Sequence, residues 1–259
     1  MVLEHIGIVI PAMNEERYLG KLLLDIKNQK FRKNRVKLDV ILADGGSKDR
    51  TRIIAKSHGA KIVKGFDHPG KGRNRAARYF YGDIFYVLDA DIRLFDKYFI
   101  DESLEEFKSK ELDCATIPIM PYWYDYPDTG FITKAVITTF FWLGNIDVDI
   151  TCHGNPKANG SGMIFRTDSF KAVGGFGENV YGLEDSELAL RMFRKGFKFG
   201  VIHRVTSYLS ARKPLKHGRF KYFFNVIKLH HYRKVHGELT SKKVFNKITG
   251  LDDYYAVEK

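Results

Sequence analysis

Gly82-Asp-Ile-Phe-Tyr-Val-Leu-Asp-Ala-Asp-Ile-Arg93 joins a short apolar run to a pair of carboxylates. Residues 85–88 suit a strand buried on both faces. The run stops at Asp89-Ala90-Asp91. Two acids one residue apart converge on one spot if the chain turns where the strand ends. Such a spot suits a hard divalent cation that takes its other ligands from phosphate oxygens. Two solvated turn aspartates would look the same in isolation, so the flanking sequence decides between them.

Upstream, residues 5–10 are β-rich and lead into Pro11-Ala-Met-Asn-Glu-Glu16. Asn14 reads as a helix N-cap, and Leu19, Leu22, Leu23 and Ile26 then recur at helical spacing. Residues 37–42 form a second apolar run, ending at Ala43-Asp44-Gly45-Gly46, with a helix expected from about Asp49 and a third strand over residues 60–64. Pro69-Gly-Lys-Gly-Arg-Asn-Arg-Ala76 reads as a glycine-rich basic loop opening another helix. This alternation predicts an α/β fold with a mostly parallel sheet covered on both faces. Ligands of such sheets sit beyond the carboxyl ends of the strands, where Asn14, Glu15, Asp44 and the aspartate pair all fall. The first strand is followed by proline and acids instead of G-x-G-x-x-G, which argues against a dinucleotide-binding oxidoreductase.

Downstream, residues 131–143 are apolar and helical in pattern, residues 147–159 read as a polar loop, and Asn159-Gly-Ser-Gly162 turns into a strand. Glu184 and Asp185 open an amphipathic helix, and His203 follows a strand over residues 198–202. The segment 212–247 is rich in Arg, Lys and His, with Phe220, Phe223, Phe224 and Ile227 at helical spacing.

A hydrophobic content of 44% over 259 residues supports a real core and excludes a disordered chain. Cys114 and Cys152 match no zinc or disulfide spacing, which fits a reducing, cytoplasmic setting. Met1 leads within a few residues into strand-like sequence, leaving no room for a signal peptide. The most apolar stretch, residues 135–144, lies between Lys134 and Asp147 and is too short to span a bilayer. The net charge of +12 calls for anionic partners: nucleotide phosphates, nucleic acid or acidic lipid headgroups.

Five separated segments, IVIPAMNEERYLGKLL, ILADGGSKDRT, GKGRNRAARYFYGDIFYVLDADIRL, NGSGMIFRTDSFKAVGGF and GLEDSELALRMFRKGF, resemble in type and order the family 2 glycosyltransferases of the GT-A fold. The resemblance runs over about residues 6–202. It implies a nucleotide-sugar-binding half (1–113) and an acceptor-binding and catalytic half of the same domain (114–211); the tail it does not cover reads, from its composition and spacing, as a basic amphipathic helical extension (212–259). The resemblance implies that Pro11, Asn14 and Glu15 sit at the nucleoside-diphosphate sugar and that Asp44 reaches the nucleobase. Lys71 and Arg73 would meet phosphate charge. Asp89 and above all Asp91 would hold Mn²⁺ or Mg²⁺, with His203 as a further metal ligand. Asn159 and Gly160 would line the sugar pocket. Asp185 would be the general base toward an acceptor hydroxyl, with Glu184 and Glu187 orienting or capping. The product would be inverted at the anomeric carbon.

The basic tail leaves two readings open. It lies in the interface of an anionic membrane, bringing a lipid-linked or membrane-proximal acceptor to the site, or it packs on the domain with a solvated basic face. Two rival functions fit less well. A nucleotidyltransferase would carry Gly-Gly-x-Gly-x-Arg after the first strand, and a nucleic-acid-binding module would leave Asp91 and Asp185 unused, so no nucleic-acid partner is expected.

Overall fold

The computed structural model describes residues 3–32, 35–64 and 68–250. The chain begins β1 (Leu3–Ala12), α1 (Leu19–Lys27), β2 (Arg35–Asp44), α2 (Thr51–Ser57), β3 (Lys61–Lys64), α3 (Pro69–Ala77) and β4 (Ile84–Leu88). It continues through β5 (Ile92–Arg93), α4 (Phe99–Ser109), β6 (Cys114–Thr116), β7 (Ile119–Tyr122) and α5 (Phe131–Thr151). Then come β8 (Gly162–Arg166), α6 (Thr167–Ala172), α7 (Glu184–Arg194), β9 (Phe199–Val201) and β10 (Ser207–Ser210). Three helices close the described chain: α8 (Arg212–His217), α9 (Arg219–His236) and α10 (Lys242–Thr249).

The main sheet has the order β3-β2-β1-β4-β8-β6-β9, in which β8 alone runs against its neighbours. A small second sheet, β5-β10-β7, stands beside it. Every residue of β4 is buried, as its unbroken apolar run requires of a strand covered on both faces. Its side chains alternate between two cores. Tyr86 and Leu88 pack with α1 and α4, whereas Phe85 and Val87 pack with α3, α6 and α7.

Four local expectations are corrected. Asn14 caps no helix: α1 starts at Leu19, and Asn14 adopts a left-handed φ of 56°. Its Oδ1 instead accepts from the Lys48 N–H at 2.9 Å, tying the turn after β1 to the turn after β2. Residues 69–76 are helix, not loop, because Pro69 presets the first turn and His68 Nδ1 accepts from the Gly70 N–H. Residues 147–151, expected in a polar loop, complete α5, where Asp147 pairs with Lys157 at 2.6 Å. With that extension α5 reaches 21 residues, long and apolar enough by length and composition to cross a bilayer, contrary to the reading of residues 135–144.

Gly7 shows how tightly β1 is covered. A Cβ there would lie 2.7 Å from Cγ of the buried Phe80 ring. Gly7→Ala should therefore destabilise the fold by about 1–3 kcal/mol, seen as a lower urea midpoint with an unchanged m-value.

Candidate active site

Parallel pairing brings the ends of β1, β2 and β4 to one edge, with Ala12 opposite Asp44 and Val9 opposite Val87. A cavity of about 910 Å³ opens there, lined among others by Pro11, Asn14, Glu15, Arg73, Asp89, Asp91 and Arg212. A second cavity, about 610 Å³, holds Asp185, Asn159 and Gly160. Arg73, Asp89, Glu184 and Lys213 line both.

The shared wall is a buried charge cluster. Arg73 donates from Nη1 to Glu184 Oε1 at 2.7 Å and from Nη2 to Asp89 Oδ1 at 3.3 Å. Burial alone would depress this guanidinium's pKa, but the charges of Glu184 and Asp89 outweigh it and hold the pKa above its usual value. Ser161 Oγ donates to the other Asp89 oxygen at 2.9 Å. On the far side, Leu183 takes a left-handed φ of 60°, so that Glu184 and Asp185 open α7. The Ser186 N–H donates to Asp185 Oδ1 at 2.8 Å. A Cβ on Gly160 would come within 2.6 Å of Asp185 Oδ2, so a side chain there would close the approach to the carboxylate. Burial, and then the neighbouring Glu184 charge, push the Asp185 carboxyl up to about 7.

Asp91 is 2% exposed. Arg212 Nε lies 2.9 Å from its Oδ2 as an ion pair, and that oxygen receives no aligned hydrogen bond. The same guanidinium forks onto Glu15, whose carboxyl burial pushes up to about 7 against the opposing pull of Arg212. Asp44 is fully buried behind Ala43 and Gly45, which line the first cavity. Its Oδ1 accepts from the Ser47 N–H at 3.1 Å, and its Oδ2 has no hydrogen-bond partner.

Two residues, Lys71 and His203, fall outside the expected places, while Glu187 stays in the first turn of α7. Lys71 lines neither cavity, because the helical course of residues 69–77 turns it away from Arg73's direction. Glu187 pairs with Arg191 at 2.6 Å, within α7. His203 is no partner of Asp91: its Nε2 sits 2.8 Å from Asp149 Oδ1, and it lines neither cavity. The physical reason is topological. His203 follows β9, the far edge strand, whereas β10 runs back to the aspartate pair, where the Ser210 N–H donates to the Asp91 carbonyl and Arg212 follows. Arg212 is the residue that sequence reasoning missed. Arg212 looked like the first cation of a tail, and only its position just after a strand-like segment distinguished it.

Among the described residues, no three His, Cys, Asp or Glu side chains group to hold a metal ion unaided. Asp91 Oδ2, which accepts no hydrogen bond, nevertheless fits a hard cation that takes one or two protein carboxylates and completes its shell with phosphate oxygens. Arg212 competes for that oxygen. Arg212→Ala should tighten Mn²⁺ binding to the donor-free protein by about tenfold, equivalent to 1.4 kcal/mol of lost competition, measured by the paramagnetic resonance of free Mn²⁺.

Folded Asp185 holds its proton up to about pH 7, whereas an unfolded aspartate loses it near ~3.9. Ionising it therefore costs stability as pH climbs through that window. Asp185→Asn should melt at a higher temperature than the parent at pH 8, with the difference vanishing by pH 4, as read by calorimetry.

Residues 7–173 match the family described as Glycosyl transferase family 2. The chain belongs to that family. It is 24% identical over 230 residues to the succinoglycan biosynthesis protein ExoA of Rhizobium meliloti, covering 83% of this chain and 66% of that protein. It is 31% identical over 127 residues to a 4,4'-diaponeurosporenoate glycosyltransferase of Staphylococcus haemolyticus, covering 46% of this chain and 32% of that one. The chain thus spans about a third to two thirds of the length of these relatives. Among solved structures, a Pyrobaculum calidifontis mannosyltransferase in complex with GDP-Man and Mn²⁺ superposes with a TM-score of 0.64 at 17% identity, over 98% of this chain and 70% of that one. The glucosyl-3-phosphoglycerate synthase of Mycobacterium tuberculosis with Mn²⁺, UDP and phosphoglyceric acid gives a TM-score of 0.56 at 18% identity, over 87% and 76%. The fold is that of the GT-A glycosyltransferases.

Proposed function

We propose that this glycosyltransferase moves a sugar from a nucleoside-diphosphate sugar to an acceptor hydroxyl, with inversion at the anomeric carbon. One observation carries the reading: Arg73, Asp89 and Glu184 form a common wall between two cavities, with Asp91 lining the first and Asp185 the second.

The first cavity takes the donor. Pro11, Asn14 and Glu15 border the nucleotide, and Asp44 Oδ2, which accepts no hydrogen bond and has only the Arg52 guanidinium 3.8 Å away, suits a nucleobase N–H. Arg73 and Arg212 supply cations toward the diphosphate. A divalent ion, Mn²⁺ or Mg²⁺, would be held by Asp91 with Asp89 beside it, and when bound it supplies charge neutralisation to the leaving diphosphate. Relatives of the same fold solved with GDP-Man or UDP and with Mn²⁺ support this assignment.

Asp185 takes the proton of the acceptor hydroxyl as its oxygen bonds to the anomeric carbon. The bond from that carbon to the diphosphate oxygen breaks, and the nucleoside diphosphate leaves with the electron pair. A carboxyl poised near 7 is a base matched to neutral pH, and Gly160 keeps its face open. The enzyme works in the cytoplasm in this reading.

A thermal-shift panel of UDP-, GDP- and dTDP-sugars should show one nucleotide stabilising the protein, more strongly with Mn²⁺. With that donor, Asp185→Asn should keep the stabilisation and lower nucleoside diphosphate release by about 10²–10⁴-fold. Equal release by parent and variant removes Asp185 from the mechanism.

A further inference from the structure

α5 is amphipathic in an inverted sense. Only Ile137, Phe141 and Val148 are buried, while Ile132, Trp142, Leu143 and Ile150 form an exposed stripe at helical spacing. A helix that offers its apolar stripe outward on a folded domain marks an interaction surface.

α9 runs alongside in the same direction. Arg219 meets Thr133, and the Phe223 ring stacks on Phe140 at 4.1 Å. It too exposes apolar side chains, Phe220, Phe224 and Ile227, and Lys221, Lys228 and Lys234 stand out among them. Rings interleaved with cations complement an anionic bilayer surface.

The second cavity lies between these two helices. Leu143, Gly144, Val226 and Ile227 line it, and so does Asp185. Most of its charged groups are paired: Arg73 bonds Glu184 and Asp89, Asp147 pairs with Lys157, and burial pushes His230 down to about 4, keeping it uncharged at neutral pH. A groove with mostly apolar walls, whose Asp89, Asp147 and Glu184 carboxylates are bound by Arg73 or Lys157, suits an amphiphile whose polar end reaches Asp185.

We propose that the groove between α5 and α9 receives the hydrocarbon part of a membrane-lipid acceptor, and that the surrounding apolar and basic face seats on an anionic bilayer. The proposal rests on the glycosyl-transfer reading, which gives Asp185 its acceptor, and it names that acceptor's class. It also gives α5 a place in the interface plane, where the tail alone was expected to act.

The chain has two tryptophans, so Trp123→Phe leaves Trp142 as the sole reporter in the full-length protein. Its emission should shift to the blue on vesicles of phosphatidylcholine with phosphatidylglycerol, and acyl-chain-brominated lipid should quench it. Leu143→Asp with Phe224→Asp should abolish both effects. For the groove, the probe is a nitrobenzoxadiazole-labelled dodecanol. A Cβ at Gly144 meets nothing within 4 Å, so Gly144→Trp fills open space and should weaken probe binding by about tenfold while leaving nucleotide-sugar stabilisation intact. Unshifted Trp142 emission in the presence of vesicles, or equal probe binding by parent and Gly144→Trp, overturns the proposal. If a nucleotide-sugar still stabilises the protein, only the lipid assignment falls; if none does, the glycosyl-transfer reading falls with it.

Discussion

Arg73 is a guanidinium buried between carboxylates that belong to distant parts of the chain. Asp89 ends the central strand, and Glu184 begins α7. Removing one partner of such a buried pair leaves an uncompensated charge, a loss of about 3–5 kcal/mol, so the contact fastens the end of β4 to the start of α7. It also sets the local electrostatics. One cation faces Asp89, Glu184 and Asp185, and the carboxyl that Arg73 does not bond is the one whose pKa climbs to about 7. Burial and the neighbouring Glu184 charge raise the Asp185 carboxyl, and the Arg73 charge only partly offsets them.

Arg212 plays the corresponding part on the opposite flank. It reaches back from α8 to Glu15 after β1 and to Asp91 after β4, and its guanidinium lies over the Tyr18 ring at 4.8 Å. The first cavity is therefore closed by a residue from beyond the segment that matches the family.

Much of this was legible in the sequence because it depends on local pattern. The apolar run of β4, its abrupt end in two aspartates and the leucine spacing of α1 each follow from periodicity, and each is observed. The convergence of strand ends follows from parallel alternation alone. What escaped was set by contacts distant in sequence. Asn14 has the chemistry of a cap, but its side chain found a better partner in the Lys48 backbone. His203 and Arg212 are nine residues apart, and only the change of sheet between β9 and β10 decides which of them faces Asp91. α5 was read short because Asp147 looked like an end signal, while Lys157 neutralises it from outside the helix.

The closing helices are not an appendage. α8 supplies Arg212, Lys213, Leu215, Lys216 and His217 to one cavity, and α9 and α10 supply Tyr222, Phe223, Leu229 and Phe245 to the other. A chain cut after Ala211 would retain Asp89, Asp91 and Asp185 yet expose both chambers to bulk water. Asp185 would be resolvated and its carboxyl returned toward ordinary acidity, leaving a protein complete in its reactive groups but stripped of the enclosure that makes this one basic.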